Sequence, residues 1–185
     1  MSGLSKAPVI GVVGPSGVGK DSLMMALAEA DPSLTLLRRV ITRAPEAGGE
    51  DYDAVSEAEF QRRVDAGDFA LHWDAHGLRY GVPARIEALR DGSSGVLVNF
   101  SRSMLLRAQE VFGDLIVLSV TAAPEVLAQR LAARGREDVA TRLKRLAQAA
   151  KPLPEGLARV HVIDNGGDFS ATVEAALDAL HPVRA

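Results

Sequence analysis

Apolar residues form short runs separated by longer stretches in which they recur at helical spacing. Four runs have the character of strands: residues 9–13 (VIGVV), 95–100 (GVLVNF), 115–120 (LIVLSV) and 159–164 (RVHVID). Runs of this length, rich in β-branched residues, are typical of strands buried in a sheet. We therefore predict that these four segments form the centre of the fold.

Helical spacing appears between and after these runs. It covers residues 21–30 (DSLMMALAEA), 103–112, 124–134 and 169–180, and Pro124 suits the first turn of a helix, where its missing N–H is no loss. Strands that alternate with helices favour a parallel sheet, because parallel strands need crossover connections. The pattern predicts an α/β fold with a central parallel sheet flanked by helices.

One long segment breaks this alternation. Residues 39–92 are charged and rich in turn residues, with APEAGGEDYDAV near their start. No repeat, low-complexity stretch or linker separates them from the remainder of the chain. We expect a single domain over residues 1–185, with a core of about 8–38 and 93–185 and an insertion of about 39–92.

Composition narrows the class of protein. The chain has 185 residues, 47% of them hydrophobic, and a net charge of −3, which describes an ordinary globular domain without a basic excess for nucleic acid. It has no cysteine, so disulfides and thiolate metal sites are excluded. No segment approaches membrane-spanning length, and the first apolar run is too short for a secretory signal. We expect a cytoplasmic protein with no nucleic-acid or membrane partner.

The strongest chemical signal is a glycine-rich loop between the first strand and the first helix. Gly14, four residues, Gly19 and Lys20 have the spacing of a phosphate-binding loop. Glycines let main-chain N–H groups face phosphate oxygens, the helix N-terminus adds positive charge, and Lys20 reaches the β- and γ-phosphates. A turn without a ligand is disfavoured, because strand, loop, lysine and helix are all in register. The predicted ATP-binding residues are Gly14, Pro15, Ser16, Gly17, Val18, Gly19, Lys20, Asp21 and Ser22.

Asp21 departs from the usual loop, which carries a serine or threonine whose hydroxyl ligates Mg²⁺. Two interpretations stay open. Asp21 contributes to a Mg²⁺ site, directly or through water, or it only favours the helix dipole while Ser22 supplies the hydroxyl one position later. The strand at 95–100 ends with neutral Asn99, where a second carboxylate usually lies near the metal. We hypothesise that the acid has moved from the position of Asn99 to Asp21.

Three segments carry a family resemblance. GPSGVGK, TRAPEAGGEDYDAVSEAEF and DFALHWDAHGLRYGVP resemble, in order and spacing, the phosphate loop and the substrate-binding insertion of guanylate kinases. Within that superfamily, GKDS, RRVITR and VLVNFSR are most similar to ribose 1,5-bisphosphate phosphokinases, which act in phosphonate degradation and supply phosphoribosyl diphosphate. The resemblance implies a Mg²⁺-dependent transfer of the ATP γ-phosphoryl group to the 1-phosphate of ribose 1,5-bisphosphate. ATP and a sugar bisphosphate are the implied partners.

The insertion contains candidates for binding the acceptor. The spacing of Arg39, Arg43 and Tyr52 predicts that two guanidinium groups and a phenol approach one pocket, and arginine forks match phosphate oxygens. Arg43 and Tyr52 match positions that hold the acceptor phosphate in guanylate kinases, and Tyr80 matches a tyrosine near it. Surface arginines and a packed tyrosine are the alternative. Glu50 and its acidic neighbours either contact ribose hydroxyls or are solvated.

Recognition of guanine requires an acid that this chain lacks. Guanylate kinases have a carboxylate near the positions of Leu71 and His72, and an unpaired guanine edge would bind poorly. The sequence therefore argues against GMP as acceptor. Asn99 and Arg102 follow a core strand at the edge where open α/β folds bind ligands, which makes both candidates for contact with the acceptor.

Arginines recur between residues 130 and 145, where the resemblance implies a lid of about 130–145 that closes over ATP. Arg134 and Arg142 match lid positions best, and Arg130 matches less well. Cations there stabilise charge on the transferring phosphoryl group, so the predicted catalytic residues are Lys20, Arg134 and Arg142. A solvated helix face is the alternative.

Three functions remain open: a sugar-bisphosphate kinase, a nucleoside monophosphate kinase and a non-catalytic guanylate-kinase-like binding module. Such modules commonly lose the loop lysine, and this chain keeps Lys20, which favours catalysis. The acceptor phosphate is already anionic near neutral pH, so we expect no essential histidine base. The sequence leaves the oligomeric state open, with a homodimer among the alternatives.

Overall fold

A computed structural model describes residues 5–47, 50–133, 135, 138–149 and 151–181. Its strands are β1 (Val9–Val13), β2 (Leu34–Leu36), β3 (Val40–Ile41), β4 (Asp53–Ala54), β5 (Phe69–Ala75), β6 (Leu78–Pro83), β7 (Gly95–Asn99), β8 (Leu115–Thr121) and β9 (Val160–Asp164). Its helices are α1 (Lys20–Ala30), α2 (Glu57–Asp65), α3 (Ile86–Asp91), α4 (Leu105–Phe112), α5 (Pro124–Ala133), α6 (Val139–Ala149) and α7 (Phe169–Leu180).

The core sheet contains five parallel strands in the order β2-β7-β1-β8-β9. Strand β1 lies at its centre, and all five of its residues are buried. Helices α1 and α7 pack on one face, and α4 packs on the other. The predicted α/β class and central parallel sheet are confirmed. The sequence pattern missed β2, because three residues are too short to show a period.

A second, insertion sheet has the order β4-β3-β6-β5 and mixes parallel and antiparallel pairs. Helix α2 covers it and buries Phe60 completely. Ser56 is the N-cap of this helix, and its side chain accepts a hydrogen bond from the Glu59 N–H. Strands β5 and β6 are joined by a tight turn in which His76 and Gly77 both have positive φ angles of 53° and 73°.

The two sheets share one hydrophobic cluster. Val13 and Val98 from the core sheet and Trp73 and Tyr80 from the insertion sheet belong to it. The Trp73 ring also lies 5.9 Å from the Phe100 ring, which directly follows β7. The insertion sheet is therefore packed against the carboxyl ends of β1 and β7, the edge at which open α/β folds bind ligands. Within the described part of the chain, every helix is too short or too polar to span a bilayer.

Candidate active site

The phosphate-binding loop connects β1 to α1 and is shaped by glycines. Gly17 and Gly19 have φ angles of 82° and 94°, which side-chain-bearing residues rarely adopt. A Cβ atom on Gly14 would lie 2.6 Å from the Val120 carbonyl oxygen, so the loop passes closely over β8. Gly19 is the N-cap of α1, and no side chain caps this helix. The first N–H groups of α1 thus face the loop, where an anion would accept them.

Lys20 lies over this loop. Its Nζ donates hydrogen bonds to the carbonyl oxygens of Gly14 at 2.8 Å and Pro15 at 3.3 Å. Burial lowers its pKa to about 8 from an ordinary value of 10.5; Asp21 raises the pKa and Arg39 lowers it further. The ammonium group is therefore a cation that a neighbouring polyanion would stabilise strongly.

Three side chains brace the loop from behind. The Asn165 amide donates to the Val18 carbonyl oxygen at 2.8 Å, and Arg130 donates to the same oxygen at 3.3 Å and to the Asn165 carbonyl at 2.7 Å. The Thr172 hydroxyl donates to Asn165 Oδ1 at 2.9 Å. Asn165 is 4% exposed. The sequence pattern did not predict this contact, although an asparagine between a strand and two glycines is a usable signal.

Asp21 and Asn99 are neighbours. Asn99 Nδ2 lies 3.4 Å from Asp21 Oδ1 and 3.5 Å from Glu50 Oε2, so one amide sits between two carboxylates. Burial, followed by the charge of Glu50, raises the pKa of Asp21, and Lys20 opposes that rise. The hypothesis that the acid of the metal site has moved from the position of Asn99 to Asp21 requires that the two residues be neighbours. Ser22 is exposed on the first turn of α1.

Arg39 is a buried cation of the insertion, with 6% of its side chain exposed. It forms an ion pair with Glu50, which is 11% exposed, and its Nε donates to Glu50 Oε2 at 3.3 Å. The guanidinium carbon lies 5.0 Å from the Tyr80 ring centroid and 5.7 Å from that of Trp73. From the sequence alone, two interpretations of Glu50 were open: a contact with ribose hydroxyls or a solvated charge. Its pairing with Arg39 became visible only in three dimensions.

Arg43 and Tyr52 form a separate pair. The Arg43 guanidinium lies 5.2 Å from the Tyr52 ring centroid, and the Tyr52 hydroxyl donates to the Ala44 carbonyl oxygen. The predicted acceptor residues of the insertion therefore make two pairs, Arg43 with Tyr52 and Arg39 with Tyr80. We call the predicted acceptor-binding set the acceptor side, and residues 14–22 the donor side. The acceptor side consists of Arg39, Arg43, Tyr52, Tyr80, Asn99 and Arg102.

The predicted lid lies partly within the described residues. Arg142 is half-buried on α6, and its Nε is buried without a hydrogen-bond partner among the residues that the structure describes. Arg102 Nη2 donates to the Ala149 carbonyl oxygen at the end of α6, at 3.4 Å, and burial lowers the pKa of Arg102. The hydrogen bond from Arg102 therefore links α6, which contains part of the predicted lid, to the end of β7. Arg134, the other predicted catalytic arginine, lies outside the described residues.

The donor side has the chemistry that Mg²⁺ requires. Among the described residues, no group of three or more acidic, histidine or cysteine side chains could hold a metal by itself. Kinases, however, commonly hold Mg²⁺ with one or two protein oxygens together with nucleotide phosphates and water. The half-buried Asp21 carboxylate fits this arrangement, and the Ser22 hydroxyl is a second available oxygen.

No family model matches the chain, but close relatives do. A ribose 1,5-bisphosphate phosphokinase from Ruegeria sp. (strain TM1040) is 65% identical over 181 residues, which cover 98% of this chain and 95% of the relative. A second ribose 1,5-bisphosphate phosphokinase, from Pantoea vagans (strain C9-1), is 46% identical, and the alignment covers 90% of this chain and 93% of the relative.

Solved structures agree in fold. A guanylate kinase from Anaplasma phagocytophilum superposes with a TM-score of 0.68 at 22% identity, covering 95% of this chain and 85% of that chain. A gluconokinase from Sinorhizobium meliloti 1021 gives a TM-score of 0.54 at 22% identity, covering 94% of this chain and 91% of that chain. At such identities the likeness shows the fold alone, an α/β fold with a central parallel sheet. The sequence relatives go further: the chain belongs to the family of ribose 1,5-bisphosphate phosphokinases.

Proposed function

We propose that the protein transfers the γ-phosphoryl group of ATP to the 1-phosphate of ribose 1,5-bisphosphate. The names of relatives that are 65% and 46% identical support this reaction. The observation that carries it is how the loop meets the insertion. Asn99 lies between Asp21, at the start of α1, and Glu50 of the insertion. The Glu50 carboxylate is paired with Arg39, beside Tyr80, rather than free to bind a base.

The donor side holds the triphosphate. Main-chain N–H groups of the loop and the start of α1 bind phosphate oxygens, and Lys20 exchanges its contacts with Gly14 and Pro15 for the β- and γ-phosphates. Asp21 contributes an oxygen to Mg²⁺, with Ser22 as the second candidate. When bound, the metal neutralises charge on the β- and γ-phosphates.

On the acceptor side, Arg43, Tyr52, Tyr80 and Arg102 bind the phosphates of the sugar, with Asn99 at the boundary between the two sides. An oxygen of the 1-phosphate forms a bond to the γ-phosphorus while the bond from that phosphorus to the β–γ bridging oxygen breaks. The products are ADP and 5-phospho-α-D-ribose 1-diphosphate. The attacking oxygen is already anionic, so no side chain has to remove a proton.

Catalysis comes from positioning and charge. Lys20, Arg134 and Arg142 neutralise the transferring phosphoryl group, which is the main contribution a protein makes to this reaction. The buried Nε of Arg142, which has no hydrogen-bond partner in the described part of the chain, supports this role, because such a donor gains a partner when a phosphate arrives. The expectations of a cytoplasmic location, a homodimer, and no nucleic-acid or membrane partner stay predictions.

An ADP-release assay with three arms tests the reaction: ribose 1,5-bisphosphate, GMP and no acceptor. We expect rapid release only with the sugar bisphosphate, and 5-phospho-α-D-ribose 1-diphosphate as the second product. Lys20→Met should lose turnover in every arm, while Lys151→Met, at an exposed lysine, should behave as wild type. Preferential turnover of GMP would contradict the proposal.

A further inference from the structure

We propose that Arg39 is a specificity-determining residue, which Glu50 holds against the rings of Trp73 and Tyr80 so that planar bases cannot stack there. The acceptor side then admits phosphorylated sugars that carry no base. Glu50 is a positioning residue, since it acts through Arg39. This inference rests on the proposed function and names the structural basis of its selectivity.

Trp73 and Tyr80 form an aromatic pair on the insertion sheet. Their rings are stacked, with centroids 5.5 Å apart and planes inclined by 10°. Aromatic rings also stack favourably on nucleobases, so this pair could in principle bind a base. Here the guanidinium carbon of Arg39 lies over both rings, 5.0 Å from the Tyr80 centroid and 5.7 Å from the Trp73 centroid. The cation thus lies where a base would have to stack.

Glu50 keeps this cation in place. Two guanidinium nitrogens of Arg39 contact the two Glu50 oxygens, and both side chains are nearly buried. Glu50 also lies 3.5 Å from Asn99 Nδ2 at the end of β7, which connects the pair to the core sheet. To admit a base, Arg39 would have to leave, and Glu50 would remain as a buried charge without its partner. That arrangement is strongly unfavourable.

Stability alone is a weak explanation for the pair. A buried ion pair is often no more stabilising than apolar residues of similar volume, because both charges lose their hydration. The pair also lies within electrostatic reach of Lys20, on which the charges of Arg39 and Glu50 both act. Recognition of the acceptor therefore explains the pair more readily than stability does.

Leu71 and His72, near the positions where guanylate kinases carry an acid, offer no replacement for it. Side chains alternate along β5, so Leu71 and Trp73 share the buried face and His72 lies on the other face. There His72 lies 6.3 Å from the Phe60 ring and 6.2 Å from the Phe69 ring. Leu71 is buried and apolar, so it cannot accept a hydrogen bond from the edge of a base.

The single tryptophan permits a direct test, because the intrinsic tryptophan fluorescence of the chain comes from Trp73 alone. Ribose 1,5-bisphosphate and GMP are titrated into wild type and Arg39→Ala, and turnover is measured with both. We expect Arg39→Ala to lose at least a hundredfold in kcat/KM for ribose 1,5-bisphosphate and to bind GMP at least tenfold more tightly than wild type. Glu50→Gln should shift selectivity in the same direction by a smaller factor.

Arg38→Ala is the matched control, because Arg38 is adjacent in sequence but its side chain is 47% exposed and pairs with Asp51 and Asp53. It should leave selectivity unchanged. If Arg39→Ala does not fold, as judged by thermal melting and binding of an ATP analogue, Arg39→Met fills the same volume without charge. The same selectivity shift is expected from it.

Equal loss of affinity for GMP and for the sugar bisphosphate in the folded Arg39 variant would overturn the inference. So would GMP binding to wild type as tightly as the sugar bisphosphate does. If wild type does not turn over ribose 1,5-bisphosphate, yet the Arg39 variant gains affinity for GMP, the proposed reaction fails while the inference stands.

Discussion

In the proposed reaction, the donor side and the acceptor side both bind phosphate groups, but with different parts of the chain. On the donor side, most of the groups that would bind phosphate are main-chain N–H groups. Gly14, Gly17 and Gly19 give the loop its shape. On the acceptor side, long side chains reach in from an added sheet, as Arg39 and Arg43 do. A site built from main chain is set by backbone shape, whereas one built from side chains is set by their identity.

This difference separates what each side can change. Any Cβ added at Gly14 collides with backbone, so the donor side has little freedom and suits a substrate common to many kinases. The acceptor side can alter its selectivity through one substitution, because each contact belongs to one side chain. The two sides meet at Asn99, whose amide lies between Asp21 and Glu50.

Gly14→Ala attacks the main-chain site directly and should have the largest effect. Its Cβ would lie 2.6 Å from the Val120 carbonyl oxygen, so the loop must move, at a cost of about 1–3 kcal/mol in the free energy of unfolding. We expect affinity for an ATP analogue, measured by calorimetry, to fall by about a hundredfold or more, which corresponds to about 3 kcal/mol.

Gly92→Ala is the control for this change, because a Cβ there meets nothing within 4 Å and its φ is negative. Unaltered ATP-analogue affinity in Gly14→Ala would show that backbone shape does not govern the donor side.

Asn165→Ala weakens the same site from behind and should have a smaller effect. It removes the 2.8 Å hydrogen bond to the Val18 carbonyl oxygen and one of the acceptors of the Thr172 hydroxyl, at a cost of about 1–3 kcal/mol in stability. We expect the KM for ATP to rise by about tenfold, or about 1.4 kcal/mol, while the KM for the acceptor is unchanged. Equal changes in both KM values would mean that Asn165 supports the whole fold rather than the loop.

Asp21→Ala tests the boundary between the two sides and should have the smallest effect. Removing this carboxylate should raise the Mg²⁺ concentration needed for half-maximal turnover by several-fold, because waters replace one of few protein oxygens. Ser22→Ala, which alters the exposed neighbour, distinguishes the two candidate ligands. An unchanged Mg²⁺ dependence in Asp21→Ala would assign that residue to the helix terminus alone.

The contrast between a main-chain site and a side-chain site also explains which parts of the structure could be predicted from the sequence. Residues 14–20 form a local motif whose spacing follows from backbone geometry, so the loop and its flanking strand and helix could be predicted. Glu50 contacts Asn99, 49 residues away, and Asn165 donates a hydrogen bond to Val18, 147 residues away. No local pattern records such contacts, because they depend on how the sheets pack. Strand β2 was missed because three residues carry no period.

The central claim is that Lys20 and the loop bind the triphosphate. Calorimetric titration with an ATP analogue tests it most directly. The titration is run with Mg²⁺ between pH 7 and pH 9.5, in buffers of different ionisation heat. The free protein holds the pKa of Lys20 near 8, and a bound polyanion should raise it. Binding is then strongest below pH 8, weakens by up to about tenfold per pH unit above it, and takes up a proton. Folded protein that binds the analogue with no dependence on pH across this range, or does not bind it at all, would contradict the account.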